Sequence, residues 1–264
     1  MLNRELSSLA KQVNYICPDR FVSGQITEYD IKQANINILY KNKLIDEKYY
    51  NYLKSCPKIQ REIIIGNQIK EDKNKYKVIQ NGIKEAKCQL FDANNIKAYE
   101  VIRIANDAVY VNRVGSLKYT IFDGIEFVPK TNSTCYLKLY NILFFIYFGN
   151  NINVDIKGLG EDYSIHQPMI SIIVNIINEL QYIGIKQAMK TLSDFIDDYQ
   201  NKRLDVKYYR EMNPEALYRV IGNEFFLSTI ETLQPEIDIN YNLYILRELS
   251  SILYEIYTSI YRKL

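Results

Sequence analysis

The 264-residue chain has no tryptophan, one histidine, ten glycines, six prolines and four cysteines. Each scarcity removes a class of protein. His166 is the only imidazole, and Cys17, Cys56, Cys88 and Cys135 stand far apart without a C-x-x-C pair. A tetrahedral zinc site needs close pairs of soft ligands, and none is present. Nothing else points to secretion, so the four thiols are expected to be free and structural in a reducing compartment. There is no serine–histidine arrangement with a nucleophile signature and no glycine-rich phosphate loop. The most apolar stretches, Leu137–Phe148 and Met169–Leu180, are too short and interrupted to span a bilayer. Met1–Gln12 mixes charges with leucines, unlike a signal peptide. These features predict a cytoplasmic protein with no membrane partner.

What is present supports a folded core. Hydrophobic residues make up 47% and charged residues 24% of the chain, which excludes global disorder. The length allows one large domain or two small ones. A net charge of +2 neither demands nor excludes a nucleic-acid partner, and any footprint for one must be local. Ile, Asn, Lys and Tyr, all encoded by AT-rich codons, are abundant, so the source genome is expected to be AT-rich and many Lys and Asn residues to be filler.

The periodicities predict an α+β protein, rich in strands first and in helices later. Asn3–Val13 has helical spacing of Leu6, Leu9 and Val13, and Gly24–Ile31 reads as a strand. Lys32–Tyr40 follows as a helix for which Asp30 is an acceptable N-cap. Asp46 opens a helix over Glu47–Lys54, and Pro57 opens another to about Ile69. Glu71–Lys77 reads as loop or helix extension, and Val78–Asn94 as a long helix. Ala98–Arg113 is the best β-hairpin, with Asn106-Asp107 at its tip. Leu117–Phe122 and Ile125–Val128 flank the Asp123-Gly124 turn signal. Thr134–Phe148 reads as one strand and Val154–Ile156 as a short one. Beyond Gly158 and Gly160 the pattern is helical to the end, with helices over Met169–Gln181, Lys186–Gln200 and Tyr241–Lys263. His166, beside Gln167-Pro168, reads as a loop histidine. A boundary near residue 160 separates residues 1–160, with a helical insertion at about 41–94, from residues 161–264.

Two aspartates stand out. Asp30 closes a strand and Asp107 sits at a hairpin tip, each flanked by apolar residues. Turns accept aspartate readily, so ordinary turn residues are the plain alternative. Lys58 and Arg61, three apart, share a helix face that suits a triphosphate or simply faces solvent. Lys118, Lys130, Lys138 and Lys157 could line a groove, or be ordinary surface lysines. Tyr208-Tyr209-Arg210 joins stacking rings to a cation, a composition of single-strand binders that also occurs as helix-end packing. The series Tyr244, Leu246, Leu249, Leu253, Tyr257 and Ile260 is a core or partner stripe.

The order strand–Asp, helices, hairpin–Asp, further strands and a helical bundle resembles the palm and thumb of a family B DNA polymerase. The matching segments are Tyr29-Asp30-Ile31-Lys32-Gln33-Ala34-Asn35-Ile36 and Ile104-Ala105-Asn106-Asp107-Ala108-Val109-Tyr110. The resemblance implies an antiparallel palm with a helical thumb from about Met169, and a viral or phage source. It implies Asp30 and Asp107 as the catalytic, metal-binding carboxylates. Asn35 would stand where the family has the tyrosine under the incoming sugar, Lys58 and Arg61 would bind the nucleotide, and Lys130 and Lys157 would bind nucleic acid, to which the composition of its own segment adds Arg210. The implied cofactor is Mg²⁺, with Mn²⁺ as substitute, because hard carboxylate oxygens suit these ions. Two such ions about 3.5–4 Å apart serve phosphoryl transfer, which asks mainly for positioning and charge stabilisation. The implied partners are nucleic acid, DNA before RNA, a nucleoside triphosphate, and another chain supplying missing domains. Ala105 departs from the acidic residue that opens the hairpin signature, the Lys-x-x-x-Asn-Ser-x-Tyr-Gly fingers pattern is absent, and 264 residues leave no room for an exonuclease domain. A non-catalytic nucleic-acid-binding derivative and an assembly protein using its tyrosine-rich C-terminal helix are the alternatives.

Overall fold

A computed structural model describes residues 4–115, 117–118, 120–121, 125–158, 163–211, 218–221, 224–227 and 237–262. The fold is α+β, in two compact units, Met1–Tyr136 and Leu137–Leu264.

The first unit is a sheet covered by helices. Helix α1 (Arg4–Ala10) is followed by β1 (Asn14–Ile16) and β2 (Phe21–Ile31). Helices α2 (Ala34–Lys41), α3 (Glu47–Ser55), α4 (Lys58–Glu71) and α5 (Lys73–Ala93) come next. The hairpin β3 (Val101–Ala105) and β4 (Ala108–Asn112), the short β5 (Thr120–Ile121) and the long β6 (Ile125–Leu139) complete the strands. The sheet order is β1-β3-β4-β2-β6, with β5 against β6. β2 is therefore interior, and its residues Ile26–Tyr29 are buried in succession rather than alternately. Helix α5 forms because Ile79, Ile83, Ala86, Leu90 and Phe91 recur every three to four residues and join one core with Ile36, Ile38 and Leu39 of α2 and Ile104, Val109 and Val111 of the hairpin.

Several local expectations need correction. Asp30 does not cap a helix: it lies inside β2, and α2 starts after Gln33, whose φ of 50° makes a left-handed corner. Of the two readings of Glu71–Lys77 the helix extension holds: α4 runs to Glu71 and α5 begins at Lys73, with the junction at Asp72, whose carboxylate accepts from the Asn74 N–H. The helix expected over Asn3–Val13 ends at Ala10, because residues 14–16 join the sheet as β1 and Val13 stays exposed. Asp46 does cap α3, accepting from the Tyr49 N–H at 2.7 Å. The Asp123-Gly124 turn lies outside the described residues.

In the second unit, the end of β6 leads through Tyr140 and Asn141 into β7 (Ile142–Tyr147), antiparallel to β8 (Asn153–Lys157). The single strand expected over Thr134–Phe148 is thus a hairpin: Tyr140 adopts φ 55°, a reversal that its β-forming side chain conceals. A β-carbon on Gly158 would collide with the Asn141 carbonyl, so glycine is required where β8 closes on that turn. Helices α6 (Tyr163–Tyr182), α7 (Ile185–Gln200) and α8 (Leu243–Tyr261) pack in succession. His166, expected in a loop, falls within α6, which continues through Pro168; its side chain is outside the described residues. The chain is not helical to its end. Strands β9 (Arg210–Glu211), β10 (Tyr218–Ile221), β11 (Glu224–Leu227) and β12 (Ile237–Asp238) interrupt it, paired as β10–β11 and β9–β12. β-Formers on either side of Gly222-Asn223 carry the signal for the first pair. Leu246, Leu249 and Leu253 of α8 are buried while Tyr244 and Ile260 are exposed, so only part of the expected stripe is core. None of the four cysteines is in a disulfide. Among the described residues no helix is long and apolar enough to cross a membrane.

Candidate active site

β2 and β4 run antiparallel with Asp30 opposite Ala108, the residue directly after Asp107. Asp107 belongs to the two-residue turn between β3 and β4, where Asn106 takes the left-handed φ of 52° that asparagine tolerates. Two carboxylates distant in the chain thereby reach the same end of one sheet, carried on neighbouring strands. The Asp107 carboxyl is pushed above its usual range, first by burial and then by the charge of Asp30. Glu62 pushes the same way, while a backbone hydrogen bond and Lys130 oppose it.

Lys130, on β6 beside β2, is ion-paired with Asp30; their side chains are 44% and 16% exposed. The hydrogen bond to Asp30 holds the Lys130 ammonium above its usual range against the effect of burial. Next to the pair, Lys32 meets Glu126 at 3.1 Å, and the Thr131 hydroxyl donates to Glu28 at 3.0 Å. The Asn35 amide of α2 donates to the Glu62 carboxylate of α4 at 3.0 Å.

The other expected site residues part company. Lys58 is exposed at the start of α4, but Arg61 is buried with Ile65 on the inner side of that helix, so the two do not form one solvent face. Ile59 and Ile63 occupy the exposed side instead. Lys157 pairs with Asp155 two residues away at 2.9 Å, and Arg210 lies over the Tyr241 ring at 5.6 Å. Both belong to the second unit, whereas Asp30, Asp107, Asn35, Lys58, Arg61 and Lys130 belong to the first. Tyr209 stacks on Tyr199 and is buried, which makes Tyr208-Tyr209-Arg210 packing rather than an open stacking platform.

Sequence reading missed two members of the neighbourhood. Glu62 carries no local sequence signal, since its approach to Asn35 and its electrostatic effect on Asp107 depend on tertiary folding. Lys87 was legible: it falls four residues after Ile83, on the apolar stripe of α5, and it is 1% exposed. Its ammonium donates to the carbonyls of Gln12 at 2.6 Å and Asn106 at 3.0 Å. Burial is the main cause that lowers its pKa to about 8, and the Asp107 charge acts the other way.

Among the described residues no group of three or more His, Cys, Asp or Glu side chains could hold a metal ion. A closed protein cage is therefore not what these residues offer. Mg²⁺, however, is commonly held by one or two carboxylates, with water and substrate phosphate completing its shell. The Asp30–Asp107 pair fits that pattern, because the burial and mutual repulsion that raise Asp107 are what a divalent cation relieves. Lys130 already supplies one positive charge there, so a cation would compete with it.

A model of the family described as Bacteriophage PBS1 gene 130 protein matches residues 6–255. No curated protein matches the chain. The match spans nearly the whole sequence, and the chain belongs to this phage family.

Proposed function

We propose that this member of a phage family transfers nucleotidyl groups to a nucleic-acid end in the host cytoplasm, using Asp30 and Asp107 as the carboxylates that hold Mg²⁺. The observation that carries the reading is the register of Asp30 against Ala108, which brings Asp30 to the sheet end that carries Asp107, near enough for its charge to raise the Asp107 pKa. The chain order supports it too. A strand with Asp30 near its end, a helical excursion and a hairpin turning at Asp107 resemble the order of elements in a family B polymerase palm, and α6, α7 and α8 come after them in the chain as the thumb does in that family.

When bound, Mg²⁺ would stabilise charge on the transferring phosphoryl group and make the attacking hydroxyl more acidic. This chain's residues would do the rest. Asp30 and Asp107 fix where the phosphates sit. Lys130, now paired with Asp30, would offer its ammonium to a phosphate oxygen once a cation took its place on that carboxylate. Asn35, held by Glu62, faces the sugar, and Lys58 meets the outer phosphates. DNA and a nucleoside triphosphate are the proposed substrates.

The Lys130–Asp30 ion pair and Ala105 favour a second reading, in which the carboxylates are neutralised by the protein itself and the chain binds nucleic acid without turnover. One experiment decides. Labelled deoxynucleotides are offered with primed template and Mg²⁺ to the wild type, Asp107→Asn and Lys130→Met. Incorporation that disappears in Asp107→Asn, with Mg²⁺ affinity raised in Lys130→Met because the competing ammonium is gone, is the expected result. Nucleic-acid binding with no incorporation, and no change in divalent affinity in either variant, overturns the catalytic reading.

A further inference from the structure

We infer that Gln12, Val13 and Lys87 form a clamp on the turn that carries Asp107, and that Lys87 is a positioning residue for the carboxylate pair. An exposed two-residue turn usually leaves its central backbone groups to water. Here Asn106 is exposed, yet both of its backbone polar groups are engaged. Its N–H donates to the Val13 carbonyl at 2.7 Å, and its carbonyl accepts from the Lys87 ammonium at 3.0 Å. The same ammonium donates to the Gln12 carbonyl at 2.6 Å, closing a ring through residues 12–13, 87 and 106. Two of the three ammonium donors thus go to main-chain carbonyls from separate elements.

Lys87 is buried on a helix stripe made otherwise of Ile79, Ile83, Ala86 and Leu90. A leucine there would add apolar burial without desolvating a charge, so the amine costs stability and returns geometry. What it fixes is the backbone of the residue directly before Asp107. Two further contacts hold the same edge: β1 pairs with β3, setting Asn14 opposite Ala105, and the Cys17 N–H donates to the Ile102 carbonyl. The clamp stands on these contacts alone; its consequence for metal rests on the nucleotidyl-transfer reading. Residues that orient metal ligands from behind typically change metal affinity by roughly 10–100-fold when replaced.

The test uses the full chain as wild type, Lys87→Met and Lys87→Gln. Amide hydrogen exchange is followed at residues 105–108, and Mn²⁺ binding by the loss of the free-ion EPR signal. In the wild type the Asn106 amide is expected to exchange as slowly as amides inside β3. In Lys87→Met, exchange at 105–108 accelerates while the interior of α5 stays protected, and Mn²⁺ affinity falls roughly tenfold. Lys87→Gln, with one shorter donor, lies between. A purely structural lysine would lower the melting temperature and leave the Mn²⁺ affinity of the folded fraction unchanged, and that result overturns the positioning role. Fast exchange of Asn106 in the wild type overturns the clamp even if neither variant folds. A wild type that takes up no Mn²⁺ while Asn106 is protected ends the metal reading and the positioning role but leaves the clamp standing.

Discussion

At the residue scale the decisive quantity is the charge on Asp107. Burial and the neighbouring Asp30 raise its pKa above the ordinary 3.8, so the folded protein keeps this proton at pH values where the unfolded chain has released it. Stability therefore falls as pH rises from the ordinary value through the raised one, and the deficit remains at neutral pH. Asp107→Asn removes the deficit. Its melting temperature should exceed that of the wild type at pH 7, and the two should converge below about pH 3.8; a wild type that is the more stable at pH 7 would refute the assignment. Mg²⁺ should reduce the difference by stabilising the wild type alone, by about 2.7 kcal/mol at a hundredfold excess over Kd. Lys130 works in the same sense as that cation, but at 44% exposure its pair with Asp30 is screened and adds little to stability.

At the element scale the site depends on the hairpin and on the helix behind it. Helix α5 lies in one core with both hairpin strands, and Gly82 lets it approach α2 closely. A β-carbon built on Gly82 would lie 2.5 Å from Ile38 Cγ2, a side chain that is itself fully buried. In an exposed helix, Gly→Ala gains about 0.8–1 kcal/mol. Here overpacking costs about 1–3 kcal/mol, so Gly82→Ala should destabilise on balance. We expect a lower melting temperature by roughly 2–4 °C for each kcal/mol lost, read by calorimetry. A rise would mean that α2 yields freely. The strand elements carry a second lesson. β2 is interior, flanked by β4 and β6, so Asp30 at its end has a neighbour on each side: Asp107 by way of β4, and Lys130 on β6.

At the scale of the whole molecule, 33 basic residues nearly balance 31 acidic ones. Several basic residues near the site are already committed, Lys130 to Asp30, Lys32 to Glu126 and Lys87 to backbone carbonyls. Nucleic-acid binding should therefore release few counterions. A plot of log K against log salt is expected to slope at about −2 to −3, the value for two or three phosphates neutralised on duplex. A slope near −8 would point to a broad basic surface instead. The amino-acid sequence by itself determined the α+β class, the long helices, the Asp46 cap and the hairpin with Asn106-Asp107 at its tip, because periodicity and turn chemistry are local properties. The Lys87 position on the α5 stripe was written there as well. Tertiary structure alone decided that Asp30 stands beside Asp107, that Lys130 binds Asp30, that Arg61 turns inward and that Tyr140 reverses a strand. Those outcomes depend on strand order and on competition for burial between segments far apart in the chain, and no local pattern encodes either.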